Sequence, residues 1–233
     1  MSKKHSSQQM STELKDFFNK INRTRTMEKD TYLFTEGDLA DEIYIIKSGV
    51  VQIGKSSPDG RSVGLRICSR DDIVGEFSLY SHDVNYILNA KVLESGEVSI
   101  IKKVDLEMEL LVNKALSIEI IQMMSNSFLQ DQLKFRDLVH HGKSGALYST
   151  LIRLSNSYGI KQADGILINI TLTNQDLANF CGTARESVNR LLNELITNNI
   201  LSLKNRRIII HDLQYLKKEI NCENCPIVLC TIN

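Results

Sequence analysis

Three of the five cysteines lie within nine residues near the end of the sequence, with the spacing Cys-x2-Cys-x4-Cys at Cys222, Cys225 and Cys230. Thiolates are soft ligands, and such a run beside a proline is typical of iron–sulfur or zinc ligation. Zinc usually takes a fourth cysteine or histidine at a comparable spacing, and none follows here. A regulatory disulfide and a tail of free thiols are the alternatives.

A second group of residues has the types and spacing that DNA recognition requires. In the window 174–193, Ala178 is small where two helices would cross, and Gly182 allows the positive φ of a tight turn. Val188 and Leu191 would bury the second helix against the first. The spacing predicts a helix-turn-helix, whereas an ordinary helical hairpin with a solvated charged face is the alternative.

The second helix of this motif would present polar side chains to the major groove from its N-terminal half. Arginine can bind a guanine edge with two hydrogen bonds, and glutamate can accept one from cytosine. Thr183 is predicted to cap the helix. The candidate groove residues are Arg185, Glu186, Asn189 and Arg190.

A hairpin with a basic tip is predicted after the motif, because two short apolar runs flank Lys204, Arg206 and Arg207. These cations would hold backbone phosphates. Between Thr183 and Arg207 there are five basic and two acidic side chains, whereas the whole chain is neutral with 28 of each. The charge pattern therefore favours one DNA-binding face and excludes a protein that coats nucleic acid over its whole surface.

The N-terminal half of the chain has the sequence pattern of a β-domain. Residues 30–103 contain short β-forming runs at roughly ten-residue spacing, including an Asp59-Gly60 turn. Residues 43–46 and 50–53 are predicted to be two of the strands, separated by Ser48-Gly49. The pattern predicts a β-sandwich or barrel.

Residues 104–139 are predicted to be helical and to carry a coiled-coil seam, because seam side chains alternate at spacings of three and four. A carboxylate at a seam position would face its symmetry mate and oppose dimerisation. A helix packed only on its own domain is the alternative. The predicted seam consists of Ile121, Met124, Phe128, Asp131, Phe135 and Leu138.

The composition is that of a globular chain. Of 233 residues, 42 % are hydrophobic and 24 % are charged, which excludes wholesale disorder and suits one large or two ordinary domains. No apolar run approaches the roughly 18–20 residues that cross a membrane, and the polar N-terminus lacks the apolar segment of a secretory signal. We therefore expect a cytoplasmic protein in a reducing compartment. An enzyme with a metal site in the β-domain would need several histidine and carboxylate ligands, and only His82 lies there, so catalysis is not favoured.

The order of a β-domain, a long helix and a winged helix-turn-helix resembles the CRP/FNR regulators over residues 28–210. The resemblance implies an α+β fold with a cyclic-nucleotide-binding-type β-roll. It also implies a homodimeric transcription factor that binds a palindromic DNA operator and contacts RNA polymerase at activated promoters. The motifs that carry the resemblance are residues 33–38 (LFTEGD), 44–49 (YIIKSG), 72–79 (DIVGEFSL) and 184–190 (ARESVNR).

The resemblance divides the chain into five segments. They are a polar N-terminal segment, a β-roll sensor domain, a dimerisation helix region, a winged helix-turn-helix domain with its motif at 174–193, and a cysteine tail. The tail lies outside the range of the resemblance to the family as a whole. The corresponding residues are 1–24, 25–105, 106–141, 142–214 and 215–233.

The matching residues also imply a DNA sequence preference. By resemblance, Arg185, Glu186 and Arg190 would bind a TGTGA-like half-site. An FNR-type TTGAT preference is less favoured, because that subgroup lacks an arginine at the position of Arg185.

In cAMP-binding members of the family a Gly-Glu pair holds the ribose, and this sequence keeps it as Gly75 and Glu76. Val84 and Asn85 stand where the arginine and serine that bind the cyclic phosphate would be. A buried phosphate without a cationic partner is costly, so cAMP is a less favoured ligand. The alternatives are a regulator that responds to another nucleotide, and a Gly75-Glu76 pair that only shapes a turn.

The cysteine tail resembles that of variant FNR regulators, whose oxygen-sensing [4Fe–4S] cluster is held by C-terminal cysteines and one aspartate of the dimer helix. By position this resemblance makes Asp137 the fourth ligand, with His140 and His141 as competing donors and a solvated Asp137 as the alternative. The matching role of Asp131 is to keep the inactive form from dimerising. The resemblance thus implies an activator of anaerobic genes, including the arginine deiminase operon.

Overall fold

The computed structural model describes residues 10–21, 23–56, 62–81 and 84–232. These residues form two compact units, one made of the residues up to 128 apart from 62–64, the other of 62–64 together with 129–232. The predicted Asp59-Gly60 turn and His82 lie outside the described residues. No helix in the described part of the chain is long and apolar enough to cross a bilayer.

A five-stranded sheet, most of which belongs to the first unit, has the strands β1 (Thr24–Met27), β2 (Glu42–Ser56), β3 (Ser62–Cys68), β4 (Ile73–Val74) and β5 (Asn89–Lys102). The strand order is β1-β5-β2-β3, and β4 pairs with β2. The β1–β5, β2–β5 and β2–β4 ladders are antiparallel. Buried Phe34, Ile46 and Val92 belong to the apolar core of this sheet. The predicted β-roll is confirmed.

The strand β2 differs from the prediction of two separate strands. Residues 43–46 and 50–53 belong to one strand of 15 residues, whose register with β5 shifts around Ser48. The Ser48-Gly49 pair is therefore a bulge within a strand, not a turn between two strands. Gly49 has φ +87, and a Cβ there would lie 2.6 Å from the carbonyl oxygen of Glu94. Only glycine suits this close approach of two strands.

Three helices cover a second apolar core of the first unit: α1 (Thr12–Ile21), α2 (Lys103–Val112) and the start of α3 (Lys114–His140). Leu14 and Phe18 of α1 are buried there. The sequence predicts only a polar segment here. Leu14 and Phe18 lie four residues apart in a polar stretch, and this pattern is too short to indicate a buried helix face. The Ser11 backbone N–H and hydroxyl also donate to the Glu119 carboxylate at 2.7 and 2.6 Å.

The second unit joins helices to a small antiparallel sheet. Its strands are ordered β6-β7-β9-β8, and Leu151, Phe180 and Leu195 are buried among its helices. This arrangement confirms the winged helix-turn-helix and the α+β fold. The elements are α4 (Gly142–Tyr158), β6 (Gly159–Gln162), β7 (Gly165–Ile168), α5 (Asn174–Phe180), α6 (Arg185–Thr197), β8 (Leu201–Lys204), β9 (Arg207–Ile210) and α7 (Leu213–Glu219).

Candidate functional site

The helix-turn-helix begins with a capped helix. The Thr173 hydroxyl accepts a hydrogen bond from the backbone N–H of Asp176 at 3.1 Å, and the Asp176 carboxylate accepts one from the Thr173 backbone at 2.7 Å. This capping box defines the first turn of α5. Leu177, Ala178 and Phe180 then bury its inner face. Capping and packing together place α5 beneath the recognition helix.

The turn and the second helix follow the predicted pattern. Gly182 has φ +57, which lies in the left-handed region that glycine adopts most easily. Ala178 is fully buried, and Val188 and Leu191 bury the inner side of α6. The predicted helix-turn-helix is therefore confirmed in both its helices and its turn.

Thr183 does not cap α6, contrary to the prediction. The N-cap residue is Ala184, in an extended conformation, and α6 begins at Arg185 with no side-chain cap. Because the helix begins one residue later than the prediction requires, the Thr183 hydroxyl lies outside the capping position. Its Oγ1 is buried and has no hydrogen-bond partner among the residues that the structure describes.

Three candidate groove residues share the exposed side of α6. Arg185, Glu186 and Arg190 are exposed, and within the described residues none of them forms an ion pair. Asn189 is half-buried, and its side-chain oxygen accepts a hydrogen bond from the Asn174 amide. The structure thus brings the two arginines and the glutamate together and holds Asn189 against the start of α5.

The predicted basic hairpin is formed by β8 and β9. Lys204 pairs with Arg207 across a two-residue turn, in which Asn205 and Arg206 have φ +51 and +62. Positive φ at both central residues is typical of the type I′ hairpin turn. Lys204 and Arg206 are exposed and Arg207 is half-buried, and no carboxylate of the described chain pairs with them.

The Gly75-Glu76 pair of the roll forms a tight corner. Gly75 has φ +95, and a Cβ there would lie 3.0 Å from the Glu42 carbonyl oxygen. Glu76 is 5 % exposed, and its Oε1 lies 2.8 Å from Nη1 of Arg66, a residue of β3 that is 7 % exposed. The sequence does not single out Arg66, because it precedes Glu76 by ten residues, whereas the family's phosphate-binding pair follows the glutamate.

The backbone of the chain after α7 accepts hydrogen bonds from side chains of α3 and α4. Gln130 donates to the Val228 carbonyl at 3.0 Å, and Arg153 donates from Nη1 to the Leu229 carbonyl at 3.2 Å. Asn156 donates to the carbonyl of Cys230 at 2.7 Å. The tail is thus an ordered part of the second unit.

The three tail cysteines are half-buried free thiols. Burial raises the pKa of Cys230, the Arg153 guanidinium lowers it, and Cys222, Cys225 and Asp137 raise it. These groups therefore lie within electrostatic range of Cys230. In the described part of the chain, however, no three His, Cys, Asp or Glu side chains converge as they would around a metal ion.

Asp137 is buried, at 4 % exposure, so the alternative of a solvated helix-face aspartate is wrong. Its Oδ1 accepts from Nη2 of Arg136 at 2.9 Å, and its Oδ2 accepts from the Ser149 hydroxyl at 2.6 Å and from Arg153 at 2.9 Å. Burial favours the neutral acid, but the hydrogen bonds from Ser149, Arg153 and Arg136 outweigh it and lower the pKa of Asp137. A metal would have to compete with three donors for this carboxylate. The competing donors His140 and His141 lie with their rings 6.4 Å apart.

The predicted seam of α3 contains both exposed and covered residues. Ile121, Phe128 and Phe135 are 61–65 % exposed and recur every seven residues along one face. Met124 packs against the apolar core of the first unit. Asp131 and Leu138 are half-buried, and the Asp131 carboxylate acts electrostatically on Lys134.

Comparison with protein families gives two matches that follow the order of the units along the chain. Residues 24–111 match the model of the cyclic nucleotide-binding domain. Residues 145–219 match the model of the Crp-like helix-turn-helix domain. Together they contain the β-roll and the helix-turn-helix.

Several known regulators are similar to this chain over most of its length. The chain is 53 % identical over 225 residues to the anaerobic regulatory protein of Bacillus subtilis, covering 96 % of this chain and 94 % of that one. It is 25 % identical over 186 residues to a CRP-like cAMP-activated global transcriptional regulator of Mycobacterium tuberculosis, covering 80 % and 83 %. The solved structure of the c-di-GMP-responsive global regulator CLP of Xanthomonas campestris has a similar fold, with a TM-score of 0.74, 21 % identity, and coverage of 85 % and 98 %.

Proposed function

Because the chain belongs to the CRP/FNR family of DNA-binding transcriptional regulators, we propose that it controls genes of anaerobic metabolism, chiefly as an activator. The near full-length similarity to an anaerobic regulatory protein supports this role. The arginine deiminase operon is a narrower target that rests on the sequence resemblance alone. Activation would involve contact with RNA polymerase. Because its DNA partner would be chromosomal, we expect the protein to act in the cytoplasm.

The single observation that carries DNA recognition is the shared exposed face of Arg185, Glu186 and Arg190 beside a basic hairpin. Arginine and glutamate can together bind guanine and cytosine edges of a TGTGA-like half-site, and Lys204 with Arg206 can hold phosphates. The test is fluorescence anisotropy with a duplex that carries two TGTGA half-sites about one helical turn apart. A TTGAT palindrome of equal length is the control and should bind more weakly.

The homodimer is supported by the apolar ridge of Ile121, Phe128 and Phe135. Exposed large apolar side chains in a regular row are typical of an interaction face. A dimer would place two recognition helices on the two halves of a palindrome. Sedimentation equilibrium with and without operator DNA measures the association directly.

The proposed cofactor is a [4Fe–4S] cluster held by Cys222, Cys225 and Cys230, with Asp137 as the fourth ligand. The donor types fit such a cluster, because Cys222, Cys225 and Asp137 all lie within electrostatic range of Cys230. The thiols would have to draw together, and Asp137 would have to exchange hydrogen bonds with Ser149 or Arg153 for iron. When bound, the cluster supplies an iron–sulfide centre that oxygen can destroy.

Anaerobic reconstitution tests this cofactor. We expect visible charge-transfer absorbance and iron and sulfide in equal amounts, and we expect both to be lost in a Cys225→Ser variant. Cys68→Ser is the matched control, since Cys68 is buried in the roll. Colourless protein that binds zinc, or a disulfide within the tail, would rule out the cluster.

A second candidate function is a regulator that responds to cAMP or another nucleotide through the roll. The match of residues 24–111 to the cyclic nucleotide-binding domain supports it. Calorimetric titration with cAMP separates the two functions. Binding that strengthens operator affinity in the metal-free protein would favour the nucleotide.

A further inference from the structure

A buried guanidinium lies in the roll where the resemblance to the family would place a ligand. Nη1 of Arg66 lies 2.8 Å from Oε1 of Glu76, and both side chains are more than nine-tenths buried. A buried charge is tolerated only when it is paired and hydrogen-bonded. The Glu76 carboxylate and the Arg66 guanidinium thus form a buried ion pair.

The same guanidinium reaches the dimerisation helix. Nη1 of Arg66 also lies 3.5 Å from the hydroxyl oxygen of Ser127 on α3, at the limit of a hydrogen bond. Arg66 itself belongs to β3, and Glu76 begins the turn after β4. One side chain thus contacts a strand corner and the helix on which dimerisation is proposed to depend.

The two residues at the family's phosphate-binding positions do not supply a cation for an added anionic ligand. Val84 packs partly buried against the apolar core, and Asn85 is exposed, so neither supplies the charge that a cyclic phosphate needs. A phosphate that recruited Arg66 would leave Glu76 as a buried, unpaired carboxylate. The Arg66 guanidinium already donates a hydrogen bond to the Glu76 carboxylate, as a ribose hydroxyl would.

We propose that Arg66 is an internal ligand, which occupies the nucleotide site of the roll and connects Glu76 to α3 without any cyclic nucleotide. The inference concerns the roll and its contact with α3, and it does not depend on a metal in the tail. The second carboxylate oxygen of Glu76 makes the proposal testable. Glu76 Oε2 is buried and has no partner among the described residues, so it can accept from a small added donor when Arg66 is shortened.

Chemical rescue tests the internal ligand. Arg66→Ala should lower the melting temperature of the metal-free protein, and millimolar methylguanidinium should restore part of that loss. The same additive should leave the wild type and Arg66→Ala/Glu76→Gln unchanged, because the first has its own guanidinium and the second lacks the carboxylate. Arg70→Ala is the matched control, since Arg70 is an exposed arginine four residues away. Equal rescue in all variants, or none in Arg66→Ala, would overturn the proposal.

Two further measurements keep the test informative if Arg66→Ala does not fold. Arg66→Met/Glu76→Gln removes both charges at similar volume, so it should fold, as far-ultraviolet circular dichroism would report. Its operator affinity, measured in anaerobically prepared protein, should fall severalfold because the connection to α3 is lost. Wild-type operator affinity in this variant would contradict the proposal. So would calorimetric binding of cAMP to the wild type with Glu76-dependent heat.

Discussion

Arg153 and Asp137 form a buried ion pair beneath the cysteine tail, with 2.9 Å between Nη2 and Oδ2. The same arginine donates from Nη1 to the carbonyl oxygens of Leu229 and Thr231, at 3.2 and 3.4 Å. One side chain of α4 therefore holds both the aspartate of α3 and the backbone around Cys230. The position of the predicted cluster ligands depends on this arginine.

Removing one partner of this pair should destabilise the protein strongly. Asp137→Ala leaves Arg153 buried and uncompensated, so we expect the free energy of unfolding to fall by about 3–5 kcal/mol. Urea denaturation of the reduced, metal-free protein measures the loss. Asp164→Ala, at an exposed turn, is the control and should change the free energy by less than about 0.5 kcal/mol. Equal effects of the two substitutions would show that the pair is not buried as described.

Lys134 should make stability rise with pH. Its pKa falls to about 7 from an ordinary 10.5, chiefly because of burial and also because of Arg153, whereas Asp131 and Cys181 act in the opposite direction. Its Nζ donates to the Gly64 carbonyl at 2.6 Å and lies 4.7 Å from the centre of the Phe180 ring. Between pH 7 and 10.5 the unfolded chain binds the proton and the folded protein does not. The free energy of unfolding should therefore increase with pH across this window and be lowest below it.

Urea denaturation at several pH values, in the presence of reductant, checks this slope. Lys134→Met should flatten it, because the proton difference between the two states disappears. Lys143→Met is the control, since Lys143 is exposed and on α4. An unchanged slope in Lys134→Met would mean that another group causes the pH dependence.

Arg185 and Arg206 should contribute differently to operator binding. Arg185→Ala removes a base contact, so we expect a loss of about 1–3 kcal/mol and a weaker preference for TGTGA over a site mutated at one base. Arg206→Ala removes a phosphate contact, so binding should weaken for all sequences and the salt slope should fall by about 1. Anisotropy titrations at several salt concentrations measure both effects. Equal weakening of specific and non-specific duplexes by Arg185→Ala would rule out a base contact by this arginine.

Phe135 should be essential for dimerisation. Its side chain is 65 % exposed in the single chain, and Phe135→Glu would place a charge in the apolar ridge of α3. We expect this variant to sediment as a monomer and to lose most of its operator affinity. Gln122→Glu adds the same charge at an exposed position one residue from Ile121 and should leave a dimer. A dimeric Phe135→Glu protein would place the interface elsewhere.

The DNA-binding motif was predictable from sequence because its determinants are local. Gly182 supplies the turn, Val188 and Leu191 supply one buried face, and the two residues between Lys204 and Arg207 can only form a tight hairpin turn. The prediction for Thr183 was wrong by a single residue. Polar residues next to a helix start are hard to rank from sequence, since the cap depends on backbone geometry.

The buried polar contacts could not be predicted, because they join residues that are far apart in sequence. Arg66 contacts Ser127 from 61 positions away, and Arg153 contacts Leu229 from 76 positions away. Asp137 looks like any helix-face acid until the tail and α4 cover it. Periodicity finds faces of helices and strands, but it carries no information on which polar groups meet between them.

Operator binding before and after brief exposure of anaerobically reconstituted protein to air is the most direct test of an oxygen-sensing cluster in the tail. We expect coloured protein that binds the TGTGA palindrome tightly, then loses both its colour and most of its affinity in air. A Cys222→Ser/Cys225→Ser variant should be colourless and insensitive to air. A colourless, metal-free wild-type protein that binds the operator equally well with and without oxygen would contradict the proposed cluster.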